Sequence, residues 1–180
     1  MNYGLPTTVE VGGKTREIRT DFRAILDILT ALNDPDLSDS EKSEVMIGIF
    51  YVDEIQPDEY EEAMERCAWF MNMGDVPEKT KHEPKLMDWE QDFNYIIAPI
   101  NRVAGRDVRA DSYMHWWTFM AFYNEIGDCL FAQIVSIRDK RARGKKLDKS
   151  DKEFYRRNRD IIELKNKYTQ AEEEILEGWI

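Results

Sequence analysis

The alternation of hydrophobic and polar residues predicts a β-hairpin at the start of the chain and helices after it. The segment VEVGGKTREI, residues 9–18, contains two short strand-like arms around Gly12 and Gly13. Glycine adopts the positive φ angles that a two-residue hairpin turn requires. From residue 20 onward, apolar residues recur at three- and four-residue spacing, which is the period of a helix with one buried face.

Three helices are predicted in the first half of the chain. Thr20 is placed to cap the first, and Ser38 with Glu41 forms a capping box for the second. The third begins near Pro57, a favourable first-turn residue, and ends at Gly74. The predicted inward residues of the first two helices are Phe22, Ile25, Leu26, Leu29, Leu32, Val45, Met46, Ile49 and Phe50.

A charged stretch follows these helices. Residues 75–87 include DVPEKTKHEPK, which has two prolines, six charged residues and no apolar periodicity. Such a segment is typical of a linker. Asp88 can cap the next helix, in which Pro99 should produce a kink unless the helix breaks there, and Gly105 ends it.

Three further helices are predicted near the C-terminus. The first covers residues 112–125, and the second is CLFAQIVSI, with its buried face at Leu130, Ile134 and Ile137. The last begins at a capping box of Ser150 and Glu153 and continues towards Trp179. The inward residues predicted for the helix after Asp88 are Phe93, Ile96, Ile97, Ile100 and Val103.

The sequence therefore predicts a mainly α fold: a helical, bundle-like single domain over residues 1–180 with a short N-terminal β-hairpin. Residues 1–74 would hold the hairpin and the acidic helices, 75–87 the linker, and 88–180 the helical remainder. A chain of 180 residues with 42% hydrophobic content is long enough to bury one ordinary core.

Charge is distributed unevenly along the chain. The formal net charge is −11, which disfavours a nucleic-acid platform because phosphates would be repelled. Twelve acids and one base lie between Asp34 and Glu65, whereas eleven bases and four acids lie between Arg138 and Arg159. Two interpretations stay open: solvated helix faces with intramolecular charge pairing, or a dipolar molecule that docks on partners or on copies of itself.

The cysteines and the hydropathy indicate a cytoplasmic protein. Cys67 and Cys129 have apolar neighbours and no metal-binding spacing, which predicts two buried reduced thiols. The sequence predicts neither secretion nor membrane insertion, because residues 1–13 show no basic region followed by an apolar run and no apolar run is long enough to span a bilayer.

No motif for catalysis, metal binding or cofactor binding is recognised. In MHWWTFMAFY, residues 114–123, His115 has no orienting carboxylate or nucleophile at a suitable spacing, so we interpret it as a structural residue at the margin of the core. The acidic turn DPDLSDSEKSEV resembles a calcium loop, but Asp39 and Val45 stand where an EF-hand needs glycine and glutamate. We therefore expect a non-enzymatic protein without a cofactor or metal.

Protein binding is the favoured function class. The methionine-rich helix AMERCAWFMNM offers adaptable side chains suited to irregular partners. The predicted partner-binding residues are Met64, Met71 and Met73.

Several motifs in order resemble a known family. They are LPTTVEVGGKTREIRTDFRAIL near the start, WEQDFNYIIAPIN in the middle, and MHWWTFMAFYNEI followed by IVSIRDKRARGKK. Together they are similar to the "gene product fifteen" family of tailed phages and prophages of Gram-positive bacteria.

The resemblance implies a small protein of the host cytoplasm, encoded between the tail tube and tape measure proteins. Proteins in that position look like tail assembly chaperones that coat the tape measure, recruit tube subunits and leave before the virion is complete. The implied partners are the tape measure protein and the tail tube protein, with no membrane. One alternative is a structural tail or connector component that remains in the virion. Another is a regulator that binds nucleic acid through residues 138–159.

Overall fold

The computed structural model describes residues 4–75 and 83–165, and contacts group these residues into two units. Residues 4–75 and 113–119 form the first unit, and residues 83–112 and 120–165 form the second. The part of the predicted linker at residues 76–82 and the predicted helix beyond residue 165, including Trp179, lie outside the described residues. The assignment of residues 1–180 to one domain stays a prediction.

The first unit begins with the predicted hairpin. Strand β1, Thr8–Val11, pairs antiparallel with β2, Lys14–Glu17. Gly12 and Gly13 have φ angles of 59° and 68°, as a two-residue turn of this hand requires. Val9 and Val11 face the core, whereas Thr8 and Glu10 face solvent.

Three helices follow the hairpin in this unit. They are α1 (Phe22–Leu32), α2 (Asp39–Phe50) and α3 (Tyr60–Met71), and α3 follows a 3₁₀ turn at Pro57–Glu59. Helix α1 packs on α2, α2 on α3, and α3 on β1. The capping box of Ser38 and Glu41 is confirmed.

The cap of α1 differs from the prediction. Asp21 is the N-cap, and its carboxylate accepts a hydrogen bond from the Arg23 amide at 3.0 Å. Thr20 is buried instead, and its hydroxyl lies 2.7 Å from the hydroxyl of Tyr113. The hydroxyl of Thr20 therefore bonds to a residue 93 positions away. Local sequence patterns do not predict such a contact.

The interior of this unit is aromatic. The rings of Phe22 and Phe119 stack at 4.5 Å, and those of Phe50 and Phe70 lie 5.3 Å apart. Ile28 is buried on α1, whereas the predicted Leu26, Leu29 and Leu32 are only half-buried. On α2 the buried residues are Met46, Ile47 and Phe50, and the predicted Val45 and Ile49 are half-buried.

The second unit contains the remaining helices. They are α4 (Trp89–Ala104), the end of α5 (Trp116–Asn124), α6 (Leu130–Ala142), α7 (Lys149–Arg157) and α8 (Arg159–Ile162). Residues of α5 up to Phe119 belong to the first unit. Asp88 caps α4, and Gly105, with φ of 70°, ends it as predicted. Helix α4 continues through Pro99 without a break, and on it Phe93 and Val103 are half-buried rather than inward.

Helix α5 begins at Trp116, four residues later than predicted. The preceding residues are extended because they bond to the start of α1. The Phe22 amide donates to the Met114 carbonyl at 2.9 Å, and the Trp116 amide donates to the Thr20 carbonyl at 2.7 Å. This long-range pairing overrides the local helical pattern.

The cap of α7 also differs from the prediction. Asp148 and Asp151 form the capping box, so Ser150 and Glu153 lie inside the helix. The extended backbone of Asp148 lets its carboxylate accept from the Asp151 amide at 2.8 Å. Helix α7 ends at Arg157, and the short α8 follows, rather than one continuous helix.

The mainly α class with an N-terminal hairpin is confirmed. Among residues 4–75 and 83–165, no helix combines the length and the apolar character that crossing a membrane requires.

Candidate partner-binding surfaces

The predicted methionine site extends from the first half of α3 to just beyond its end. Met64 and Met71 are half-buried and seven residues apart, so they share one side of the helix at the border of its buried face. Met73 follows the helix, is 37% exposed and has a φ angle of 56°. Only Met73 is freely offered to a partner, and the assignment of the three methionines to partner binding stays a prediction.

The adjacent tryptophans of the aromatic segment cap the end of α3. The indole nitrogen of Trp117 donates to the Phe70 carbonyl at 2.8 Å, and that of Trp116 donates to the Met71 carbonyl at 2.9 Å. The last carbonyls of a helix have no partner within it, so these two bonds satisfy them. A Cβ added to Gly74 would lie 3.3 Å from the Trp117 ring, which shows how closely the chain passes this cap.

His115 is a buried structural residue, as interpreted from the sequence. Its Nδ1 accepts from the Trp117 amide at 3.0 Å, which places the ring proton on Nε2, and Nε2 donates to the Pro6 carbonyl at 3.0 Å. Burial lowers the pKa of the imidazole. The neutral imidazole therefore links α5 to the segment before β1.

Helix α6 carries two open grooves that sequence reasoning missed. One groove, of about 470 Å³, lies between α6 and α7. The other, of about 410 Å³, lies between α6 and the end of α5. The first is lined by Asp128, Cys129, Ala132, Gln133, Ser136, Ile137, Ser150, Asp151 and Phe154. The second is lined by Tyr123, Asn124, Ile126, Phe131, Ala132, Val135 and Ser136.

The grooves share a low ridge. Ala132 and Ser136 line both, and Ser136 is exposed. Residues four apart lie on one face of a helix, and small side chains let another backbone approach closely. The spacing of Ala132 and Ser136 was a usable signal in the sequence, but the apolar period directed attention to the opposite face.

Two predictions near these grooves need correction. Leu130, predicted to face inward, is 43% exposed, because helical side chains lean towards the N-terminus and it is the first residue of α6. Cys129, predicted to be buried, is half-buried, and its sulfur caps α6 by accepting from the Ala132 amide at 3.4 Å. Both thiols are free, and burial raises the pKa of Cys67 to about 12.

The basic segment, residues 138–159, is not a uniform surface. Arg138 is buried and forms a two-pronged ion pair with Asp92, at 2.6 and 3.0 Å. Its other N–H groups donate to the carbonyls of Leu86, Ile161 and Ile162 at 2.7–3.0 Å. All five guanidinium donors are satisfied, so Arg138 holds the interior of the second unit and cannot bind nucleic acid.

Most other bases of this segment pair with nearby acids. Lys140 contacts Asp151 at 2.8 Å and lowers the pKa of that carboxyl. Asp139 accepts from two bases, and Arg143 lowers its pKa most. Six bases take part in such pairs within the described residues, namely Lys140, Arg141, Arg143, Lys145, Arg157 and Arg159. These contacts favour the interpretation of intramolecular charge pairing for this part of the segment.

Metal ligands do not cluster in the part of the chain that the structure describes: no three His, Cys, Asp or Glu side chains come close enough to hold an ion.

Comparisons with known proteins bear on the family rather than on the surfaces. A search of curated proteins and a search of solved structures each found no match. Comparison with protein families matches residues 1–164 to the family described as Bacteriophage Gp15 protein. The match covers most of the chain, which therefore belongs to the bacteriophage Gp15 family.

Proposed function

We propose that this phage protein is a non-enzymatic tail assembly chaperone that acts in the host cytoplasm. Its client would be the tape measure protein, with the tail tube protein as a second partner. The observation that carries the proposal is the pair of grooves on α6, separated by Ala132 and Ser136. The family supplies the phage context, and the grooves supply a surface for a helical client.

The grooves suit an amphipathic helix. A helix laid along a groove anchors itself through residues at three- and four-residue spacing, and each fully buried apolar anchor contributes roughly 1.5–3 kcal/mol. Phe131, Val135 and Ile137 supply apolar walls, and Gln133 with Ser150 supplies polar groups at the rim. A long helical protein such as a tape measure presents this kind of ligand many times.

Charge supports the same role. The formal net charge of −11 favours solubility while apolar client surface is bound. A chaperone needs this property more than an enzyme does, because it must stay in solution while it carries an apolar client.

Co-expression with the tape measure protein of the same phage tests the proposal. Affinity capture of the wild-type chain should recover a soluble complex with many copies of this chain per tape measure. Ser136→Arg should reduce capture at least tenfold, because a long cation on the ridge obstructs both grooves. Ala121→Arg is the matched control, since Ala121 is exposed on α5 and lines neither groove.

Two outcomes would contradict the proposal. An insoluble tape measure beside wild-type chain recovered alone would remove this client. Stoichiometric presence of the chain in purified virions would favour a structural tail or connector component instead. Met73→Gln tests the methionine prediction separately: equal loss of capture in this variant would move the client site to the end of α3.

A further inference from the structure

Helix α7 presents a row of cations that have no ion-pair partner among the described residues. Lys149, Lys152 and Arg156 are exposed and follow one face at intervals of three and four residues. Within the described residues none of the three takes part in an ion pair, whereas Arg157 on the next face pairs with Glu153 at 2.5 Å. Charge pairing among residues 4–75 and 83–165 therefore accounts for the neighbours of this row but not for the row itself.

A matching row of acids lies on the first unit. Asp58 precedes α3, and Glu61 and Glu65 follow on the helix at the same intervals of three and four residues. All three are exposed, and none has an ion-pair partner in the described part of the chain. Nearby acids do have partners: Glu59 contacts Arg16 at 2.8 Å, and Glu62 contacts Arg66 at 3.7 Å.

The charge of each unit reinforces this complementarity. The described residues of the first unit include 17 acids and 6 bases, and those of the second include 14 acids and 16 bases. Opposite potentials attract surfaces to one another and suppress like-with-like contacts. The first unit of one molecule is thus a favourable partner for the second unit of another.

We infer that copies of this chain associate through the α7 row of Lys149, Lys152 and Arg156 of one copy and the acidic row of Asp58, Glu61 and Glu65 of another. The occupant of the α7 face is a second copy because the acidic row has the opposite sign and the same spacing. This contact is separate from the α6 grooves and does not depend on the proposed client.

Sedimentation velocity of the full chain alone tests the inference. At about 50 mM salt the wild type should form species heavier than the 21.3 kDa monomer, and at about 500 mM salt it should be monomeric, because salt screens exposed charges. The triple variant Lys149→Glu, Lys152→Glu, Arg156→Glu should be monomeric at both. The triple variant Asp58→Lys, Glu61→Lys, Glu65→Lys should also be monomeric at both salt concentrations.

A mixture of the two reversed variants is the decisive sample. The variant with the reversed α7 row retains the acidic row, and the variant with the reversed acidic row retains the α7 row. Together they should associate at low salt, although neither does so alone. Lys149→Arg, Lys152→Arg, Arg156→Lys keeps every charge and should behave as the wild type. Because a glutamate near the end of α7 opposes the helix dipole, Lys149→Glu, Lys152→Glu serves as a milder variant.

Three outcomes would overturn the inference: a monomeric wild type at low salt, association that survives the reversals, or reversed variants that fail to associate when mixed. A monomeric wild type whose α7 row instead binds DNA at low salt would assign this face to nucleic acid. The sedimentation experiment contains no tape measure protein, so a negative result does not contradict the chaperone proposal. Likewise, a failure to capture the client does not contradict this contact between copies.

Discussion

The interiors of the two units are built from different side chains. The first closes over aromatic rings, with Phe22, Phe50, Phe70 and Phe119 all buried. The second closes over aliphatic residues and a buried ion pair between Arg138 and Asp92. An aromatic interior is held mainly by area removed from water, whereas a buried charge is stable only while its partner is present.

The two interiors differ in how closely they fix the positions of the elements around them. The Arg138 guanidinium reaches the Leu86 carbonyl, Asp92 on α4, and the Ile161 and Ile162 carbonyls at the end of α8. A four-residue helix such as α8 cannot persist by itself, because nucleating a helix is unfavourable. The ionic interior therefore fixes the position of short elements that apolar contact alone would leave loosely defined.

The largest expected effect comes from removing one partner of the ion pair. Arg138→Met should lower the free energy of unfolding by about 3–5 kcal/mol, because Asp92 would remain buried without a counter-charge. Urea denaturation followed by circular dichroism measures this. Hydrogen exchange should show the greatest loss of protection in α6 and α8.

The double variant Asp92→Leu, Arg138→Met sharpens this test. It should be markedly more stable than Arg138→Met alone, because no unpaired charge is left in the interior. A single variant that costs less than about 1 kcal/mol would mean that water reaches the Asp92 carboxylate.

A comparable loss is expected in the aromatic interior, for a different physical reason. Trp116→Ala should lower the free energy of unfolding by about 3–5 kcal/mol through a cavity in the core. Trp116 is 2% exposed, and its indole caps α3 through the Met71 carbonyl. Here Trp116→Phe should recover part of the loss, because the ring restores packing but not the hydrogen bond. Full recovery in the phenylalanine variant would show that the cap contributes nothing.

A smaller effect, which depends on pH, is expected at His115. Burial lowers its pKa in the folded state, so the unfolded state binds the proton more readily. The contribution of neutral His115 to the free energy of unfolding is thus fully present above the ordinary histidine pKa of about 6.5. It is lost as the pH falls through the lowered pKa of the folded state. The free energy of unfolding, measured in urea from pH 7.5 to 5, should fall more steeply for the wild type than for His115→Gln. Parallel curves would contradict this assignment.

The smallest effects are expected at the helix caps. Ser38→Ala in the first unit and Asp148→Ala in the second should each cost about 1 kcal/mol, because each cap loses its bond to a first-turn amide. Ser150→Ala is the matched control and should change the free energy of unfolding by less than about 0.5 kcal/mol. Thermal denaturation of the three variants measures this. A larger loss of stability in Ser150→Ala than in Asp148→Ala would show that Ser150 caps α7, as the sequence predicted.

Local patterns in the sequence determined much of the fold. The two glycines predicted the hairpin, apolar periodicity predicted the helices, and Ser38, Asp88 and Gly105 were assigned as helix ends correctly. These features depend on residues within about four positions of one another, where backbone preference and capping act. The family was also recognisable from the order of the motifs.

Other features were decided only by tertiary structure. The start of α5, the cap of α1 and the burial of Arg138 each depend on partners between 23 and 96 residues away. No periodic pattern distinguishes a buried arginine from its exposed neighbours, because all of them read as polar. The α6 grooves were missed for a related reason: a groove is formed by the distance between helices, and that distance is set by packing rather than by the composition of any one helix.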